Sequence, residues 1–222
     1  MATILSVQIG LPQTISYPQA KDAHAETWRS GIYKKPVSGA VWASRTNLAG
    51  DGQADLSVHG GPDKAVYAYP SEHYPRWRAE LGLAEMAFGG FGENLTVSGL
   101  LELEVSIGDV YRAGEALLQI SQPRGPCWKL ARRWGIKGLE KHFSVTGRTG
   151  FYLRVLQEGN VETGNGLELV ERPAPEWAVL RAHRLLEDFH SDPEAAVQLS
   201  ELPMLSESCR GSLKKNLNKL TG

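Results

Sequence analysis

Up to about residue 172, short apolar runs alternate with turns rich in glycine, a pattern typical of β-strands. The apolar runs of strand length cover residues 4–9, 38–44, 64–69, 110–112, 116–121, 151–156 and 167–172. Two short turns, Ala113-Gly114-Glu115 and Glu158-Gly159-Asn160, predict hairpins between neighbouring runs. Many short strands with few helices predict a β-barrel or β-sandwich core.

Helical spacing of apolar residues interrupts the strands over residues 71–81 and 128–134, and resumes before Phe143. After residue 173 this spacing predicts three helices. Asp192 and Pro193 provide a cap and a first-turn proline for the middle one. The apolar positions of the outer two are Trp177, Leu180, Leu185 and Phe189, then Leu205, Cys209, Leu213, Leu217 and Leu220. We therefore expect a mainly β domain with α insertions over residues 1–172, followed by a small three-helix domain over residues 173–222.

Composition and charge exclude several classes of protein. With 222 residues, 41% of them hydrophobic, the chain is long enough for a sizeable core. A net charge of -1 argues against a dedicated nucleic-acid binder. No apolar stretch approaches the roughly 20 residues that span a membrane, and the first residues lack the features of a secretory signal. Two cysteines cannot build a disulfide framework, so we expect a cytoplasmic protein.

Cys127 is the residue with the clearest chemical potential. It lies between a predicted strand and a predicted helix, in a loop whose shape is fixed by two prolines and a glycine. This places the thiol at or just before a helix N-terminus, where the free amides and the helix dipole favour a thiolate. The cations nearby in sequence are Arg124, Lys129, Arg132 and Arg133. The pattern suits a nucleophile, a redox thiol or a soft metal ligand, the alternative being a buried small apolar residue. Cys209, on a helical stripe, is expected to pack in the core.

Two glycine-rich segments are further candidates. In the first, Gly60 and Gly61 follow His59 and let backbone amides approach an anion, with Lys64 as a point charge; a plain turn is the alternative. The second, residues 88–96, resembles a dinucleotide-binding fingerprint but has Leu95 in place of its last glycine and no helix after it. We therefore expect residues 92–94 to form a turn that presents polar atoms to a pocket.

Two histidines on the first tail helix have no obvious third ligand. His183 and His190 lie seven residues apart, so we interpret them as surface residues.

Together, these segments resemble the MOSC domain, the family named for the C-terminal domain of molybdenum cofactor sulfurases, and in particular its bacterial YiiM-like branch. The stretches that carry the resemblance are residues 59–67 with 69–74, 91–96, 108–110 with 114–116, 121–124 with 126–127, and 150–155. One departure is Gly125, where close relatives are expected to have a serine.

The resemblance implies a MOSC β-barrel-like domain in which Cys127 ligates the metal of a pterin-bound molybdenum cofactor. It also implies reduction of N-hydroxylated compounds, such as hydroxylamino-purines, to amines. His59, Asp63 and Glu93 are the candidates for proton relay. The candidate cofactor-binding residues are Gly60, Gly61, Lys64, Asn94, Ser121 and Arg124.

The partners implied are a small-molecule substrate and a separate electron-donating reductase, because the sequence has too few cysteines for an iron–sulfur cluster and no flavin fingerprint. No haem is expected either. Names used for the family also mention pyridoxal phosphate binding, but we assign no residue to it. The alternatives are a cofactor or sulfur carrier with a Cys127 persulfide, and a thiol enzyme without a metal. A monomer and a homodimer both remain open.

Overall fold

Strands and helices alternate along the chain in a computed structural model that describes residues 1–16 and 27–219. The strands are β1 (Thr3–Ile9), β2 (Gln13–Ser16), β3 (Thr27–Ser30), β4 (Lys35–Val37), β5 (Val41–Ala43), β6 (Val66–Pro70), β7 (Leu95–Ser98), β8 (Val110–Ala113), β9 (Ala116–Pro123), β10 (Phe151–Gln157), β11 (Gly159–Val161) and β12 (Leu167–Glu171). The helices are α1 (Tyr74–Leu81), α2 (Trp128–Trp134), α3 (Leu139–Thr146), α4 (Val179–Glu187), α5 (Pro193–Glu201) and α6 (Glu207–Leu217).

Eight strands form one mixed sheet in the order β12-β8-β9-β10-β6-β7-β1-β4. Its pairs are antiparallel except for β6 and β7, which run parallel. The mainly β class with helical insertions is confirmed. The expected barrel-like closure is wrong, because β4 pairs with residues 7–9 of β1 and leaves only the start of β1 to meet the chain before β12. That contact is short: it comprises the bridge between Thr3 and Gly166 and backbone hydrogen bonds of Ala2 and Ile4 with residues 164–167, without a further strand pairing among the described residues.

The sheet separates two hydrophobic clusters because side chains alternate across each strand. On β6, Val66 and Ala68 face the larger cluster, whereas Tyr67 and Tyr69 face a smaller aromatic one. In the aromatic cluster, the rings of Tyr69 and Phe91 stack with their centroids 4.3 Å apart. Helices α1, α2 and α3 pack on this second side.

The helical insertions are confirmed, and several strand boundaries differ from prediction. Of the expected run 38–44, only residues 41–43 form a strand, β5; β4 ends just before the run, at Val37, and Gly39, with a φ of 78°, breaks the extended backbone between the two strands. Residues 56–59, which precede the Gly60-Gly61 pair, form a turn and a bend. The hairpin of β2 and β3, and strand β7, were not predicted.

Three tail helices are present as expected, and Asp192 caps α5 by accepting a hydrogen bond from the Ala195 amide. The predicted surface position of His183 is wrong: its imidazole is buried and lies 2.7 Å from the Ser144 carbonyl of α3. His190 is exposed. Leu220 lies outside the described residues. Within them, no helix is long and apolar enough to cross a membrane.

The tail helices contribute side chains to the larger cluster of the sheet. Ala182, Leu199 and Leu213, one from each helix, are buried there. The chain also bridges between Ser106 and Ala178 at the start of α4. The domain boundary between residues 172 and 173 stays a prediction.

Candidate functional site

Cys127 is the residue that immediately precedes helix α2, as the sequence predicts. Strand β9 ends at Pro123, and the following loop carries the chain to Cys127, whose backbone is still extended. The thiol is half-buried and makes no disulfide. It is therefore held at the surface of a cavity rather than packed in either hydrophobic cluster.

His59 lies beside this thiol, although the two residues are 68 positions apart. The Nε2 atom of His59 is 3.9 Å from the Sγ atom of Cys127. Burial, together with the positive charges of Arg124, Lys129 and Lys64, lowers the pKa of His59 from 6.5 to about 4. The imidazole is consequently neutral at pH 7.

A cavity opens beside Cys127 and His59. It lies on the aromatic side of the sheet, between strands β3, β6, β9 and β10. Its charged lining residues are cations, and no carboxylate side chain lines it within the described part of the chain. The polar and charged lining side chains are Ser30, Lys34, Gln53, His59, Lys64, Tyr67, Asn94, Arg124, Cys127, Lys129 and Tyr152.

Arg124 carries its positive charge into this cavity wall. The residue is only 6% exposed, and its guanidinium lies 4.9 Å from the ring of Tyr67 and 5.3 Å from that of Phe143. Burial opposes its charge, but attraction to Tyr67, Tyr152 and Cys127 outweighs this and raises the pKa of Arg124. Its Nη1 atom is buried without a hydrogen-bond partner in residues 1–16 and 27–219. A buried cation without a carboxylate partner is costly, so this position favours an anionic ligand.

Lys34 is a second charged residue of the wall, and it is paired with Asp51, which lies behind the lining; the sequence did not reveal this pair. The two side chains form an ion pair, and Asp51 also accepts hydrogen bonds from the Gly10 amide and from Asn94. Burial lowers the pKa of Lys34. Asn94 is thereby fixed in the lining, because its side-chain oxygen accepts from the Tyr67 amide.

Glu93 is fully buried and does not line the cavity, although it was a candidate proton relay. Its carboxylate accepts hydrogen bonds from the amides of Gly89 (2.7 Å) and Phe91 (3.0 Å), from Thr96 (2.9 Å) and from the Tyr74 hydroxyl. These four donors surround both oxygens. Glu93 therefore shapes the turn before β7, behind the wall to which Asn94 belongs.

Asp63, Gly61 and Ser121 also lie outside the lining. Asp63 binds Arg154 and the backbone amide of Glu207, and Ser121 donates its hydroxyl hydrogen bond to the Asp63 carbonyl. The predicted site residues thus divide into two groups. The residues that share the cavity are His59, Gly60, Lys64, Asn94, Arg124 and Cys127.

A second groove meets this cavity at His59 and Cys127. One part of its wall is apolar, formed by Val58, Pro126 and the half-exposed indole of Trp128. The ring of Trp28 packs 5.6 Å from that of Trp128. The thiol of Cys127 therefore lies between a cationic cavity and an aromatic groove.

The model of the MOSC domain matches residues 55–168 of this chain. The chain belongs to the MOSC family. The matched range contains Cys127, His59 and Arg124, whereas Lys34 and Asp51 lie outside it. Lys34 and Asp51 were also not among the site residues expected from the sequence.

Similar proteins cover most of this chain, including residues on both sides of the matched range. YflK of Bacillus subtilis is 46% identical over 98% of this chain and 96% of its own. A protein of Gibberella moniliformis named as a reductase is 39% identical over 79% of this chain, which spans only 32% of that longer protein. The crystal structure of YiiM from Geobacillus stearothermophilus superposes with a TM-score of 0.81, at 35% identity, over 98% of this chain and all of that one.

Proposed function

We propose that this MOSC protein binds the molybdenum cofactor through Cys127 and reduces N-hydroxylated compounds, such as hydroxylamino-purines, to amines. The observation that carries the proposal is a half-buried thiol at the edge of a cavity lined by the buried guanidinium of Arg124, whose Nη1 atom has no hydrogen-bond partner among the described residues. A soft metal ligand and a site for an anion are thereby side by side. Membership of the MOSC family and the reductase-named relative support an enzyme of this kind.

The residues present fit the cofactor. Molybdopterin carries a dithiolene and a phosphate, so it needs few metal ligands from the protein and a cationic pocket. The described residues contain no cluster of three or more His, Cys, Asp or Glu side chains that could hold a metal alone. Cys127 would supply one soft ligand. Arg124, Lys64 and Lys129 would hold the anionic part of the cofactor.

The overall reaction adds two electrons and two protons to R–NHOH and yields R–NH₂ and water. When bound, the molybdenum centre supplies the two-electron chemistry. His59 relays a proton, because its imidazole is neutral and reaches the cavity beside Cys127. A neutral imidazole can accept at one nitrogen and donate from the other. Asp63 and Glu93 are less suited, since their carboxylates are engaged outside the cavity.

The aromatic groove is the proposed substrate channel. Trp128, Val58 and Pro126 offer an apolar wall for a flat heterocycle, and Asp55 offers an acceptor for its N–H groups. A substrate in this groove would present its N-hydroxyl group to the Cys127 side. Electrons would come from a separate reductase, since this chain has no flavin fingerprint.

Metal analysis after expression in a molybdopterin-competent host tests the proposal. We expect stoichiometric molybdenum in the wild type, loss of molybdenum in Cys127→Ala, and retention in the matched control Cys209→Ala. With a supplied electron donor, wild-type protein should convert a hydroxylamino-purine to its amine.

Three results would contradict the proposal. Molybdenum-loaded protein without turnover would remove the reductase activity. Transferable sulfane sulfur on Cys127 without molybdenum would favour a sulfur carrier. Full activity from a molybdopterin-deficient host would favour a thiol enzyme without a metal.

A further inference from the structure

Asp63 joins the loop that carries His59 and Lys64 to the C-terminal helices. It lies in a short 3-10 helix, Pro62–Lys64, at the end of this loop. Arg154 of β10 donates to its Oδ1 atom from Nε (2.9 Å) and Nη2 (2.5 Å). The backbone amide of Glu207, the first residue of α6, donates to its Oδ2 atom at 2.9 Å. The Asp63 carboxylate thus binds both strand β10 and helix α6.

Further hydrogen bonds make a parallel connection at the same point. The Ser121 hydroxyl donates to the Asp63 carbonyl at 2.5 Å, and the Ser206 amide donates to the Ser121 carbonyl at 2.9 Å. Arg154 also donates from Nη1 to the Met204 carbonyl at 3.3 Å. The segment that leads into α6 is therefore hydrogen-bonded to Ser121 and Arg154, two residues that also bind Asp63.

The loop depends on such outside contacts because its own backbone is permissive. Gly60 and Gly61 have φ values of 90° and 81°, in the region that favours glycine. Within the loop, the Lys64 ammonium donates to the Val58 carbonyl at 2.8 Å, and the Lys64 amide donates to the Gly61 carbonyl. None of these contacts fixes the loop relative to Cys127.

We propose that helix α6 positions the site loop through Asp63, which is a positioning residue rather than a proton relay. The contact of Glu207 with Asp63 fixes where His59 and Lys64 stand beside Cys127. This gives the C-terminal helices a role in the chemistry of a cavity that they do not line. The inference rests on the proposed function for the purpose of the loop, but the coupling itself can be measured without a cofactor.

Glu207→Pro removes the coupling from the helix side. Proline is favoured at the first position of a helix, because that amide has no partner within the helix. The preceding residue, Ser206, already has the extended backbone that proline requires (φ -55°, ψ 147°). The substitution therefore deletes the N–H that binds Asp63 and leaves α6 intact. Glu207→Ala is the matched control, since it removes the side chain and keeps the amide.

Asp63→Asn removes the coupling from the loop side. It abolishes the ion pair with Arg154. It also leaves only one acceptor oxygen for two donors, the Arg154 guanidinium and the Glu207 amide. Asp192→Asn is its matched control, because Asp192 also accepts an amide hydrogen bond in the first turn of a tail helix, away from the loop. Asparagine is itself a good cap, so this control should keep α5 intact.

The test compares amide hydrogen exchange of residues 55–64 with that of residues 110–120 in the full chain. We expect exchange in the loop to become about tenfold faster in Asp63→Asn and Glu207→Pro, with the reference strands unchanged. The pH–rate profile for alkylation of Cys127 should shift in the same two variants. Both controls should match the wild type. The double variant should show less than the sum of the two effects.

The proposal is overturned if loop exchange stays at the wild-type rate, if exchange rises equally in the reference strands, or if Glu207→Ala reproduces Glu207→Pro. Should Glu207→Pro fail to fold, Asp63→Asn carries the same test alone. If these loop effects are seen in protein that contains no molybdenum, they support the coupling even though the proposed reductase function is contradicted.

Discussion

His59 and Arg124 show how the cavity sets the charge of its own side chains. Arg124 remains charged although it is buried, and its field helps to keep the neighbouring imidazole neutral. The same cationic wall therefore supplies an uncharged group beside Cys127. Neither property depends on a carboxylate in the cavity.

The lowered pKa of His59 predicts a specific dependence of stability on pH. Unfolded His59 binds a proton below pH 6.5, whereas folded His59 does so only near pH 4, so the unfolded state holds more protons in this window. Stability should therefore fall as the pH drops from 6.5 towards 4. At pH 5 the loss is about 1 kcal/mol, after allowance for partial solvent exposure.

Urea unfolding of the wild type and His59→Gln at pH 7.5 and pH 5 measures this contribution. The free energy of unfolding of the wild type should decrease more between the two pH values than that of the variant. Equal decreases in both proteins would show that His59 titrates alike in the folded and unfolded states.

Local elements were predictable where their signal lies within a few residues. The two prolines and Gly125 before Cys127, followed by helical spacing, correctly predicted where α2 begins. The pairing of Lys34 with Asp51 was not predictable, because separate segments meet only in the folded sheet. The burial of His183 was not predicted for a similar reason: the residue that it contacts, Ser144, lies on another helix.

The turn before β7 shows the limit of motif-based assignment. Its polar residues were expected to face a pocket, and Asn94 does, but Glu93 turns inward to bind the backbone of its own turn. A sequence shows that a carboxylate is present without showing which side of the wall it faces.

Glu93→Gln should therefore destabilise the fold rather than alter proton transfer. The glutamine nitrogen would face an amide N–H, either that of Gly89 or that of Phe91, and leave a buried donor unpaired. We expect the free energy of unfolding to fall by about 2 kcal/mol, measured by urea denaturation.

The matched control for this prediction is Glu115→Gln, a turn carboxylate that also accepts from a backbone amide but is exposed. It should cost less than about 0.5 kcal/mol. A folded Glu93→Gln variant of unchanged stability that loses activity would restore Glu93 as a proton-relay candidate.

The sheet and the tail helices are joined by a shared hydrophobic cluster and by the Asp63 connection. Leu199 of α5 is fully buried in the cluster that also contains Leu118 and Leu153 of the sheet. Helix α4 is tied to the sheet side by the hydrogen bond from the Val179 amide to the Val105 carbonyl. Sequence periodicity could predict these helices but not the surface on which they pack.

This shared core predicts that the chain unfolds as one cooperative unit. Leu199→Ala should cost about 3 kcal/mol, because it leaves a cavity between α5 and the rest of the cluster. The control Val197→Ala, on the same helix but half-exposed, should cost far less. Circular dichroism at 222 nm and hydrogen exchange of the β9–β10 amides should report the same loss for Leu199→Ala. If the helices lost stability while the exchange of these central strands stayed unchanged, residues 173–222 would be an independent domain, as their sequence pattern first indicated.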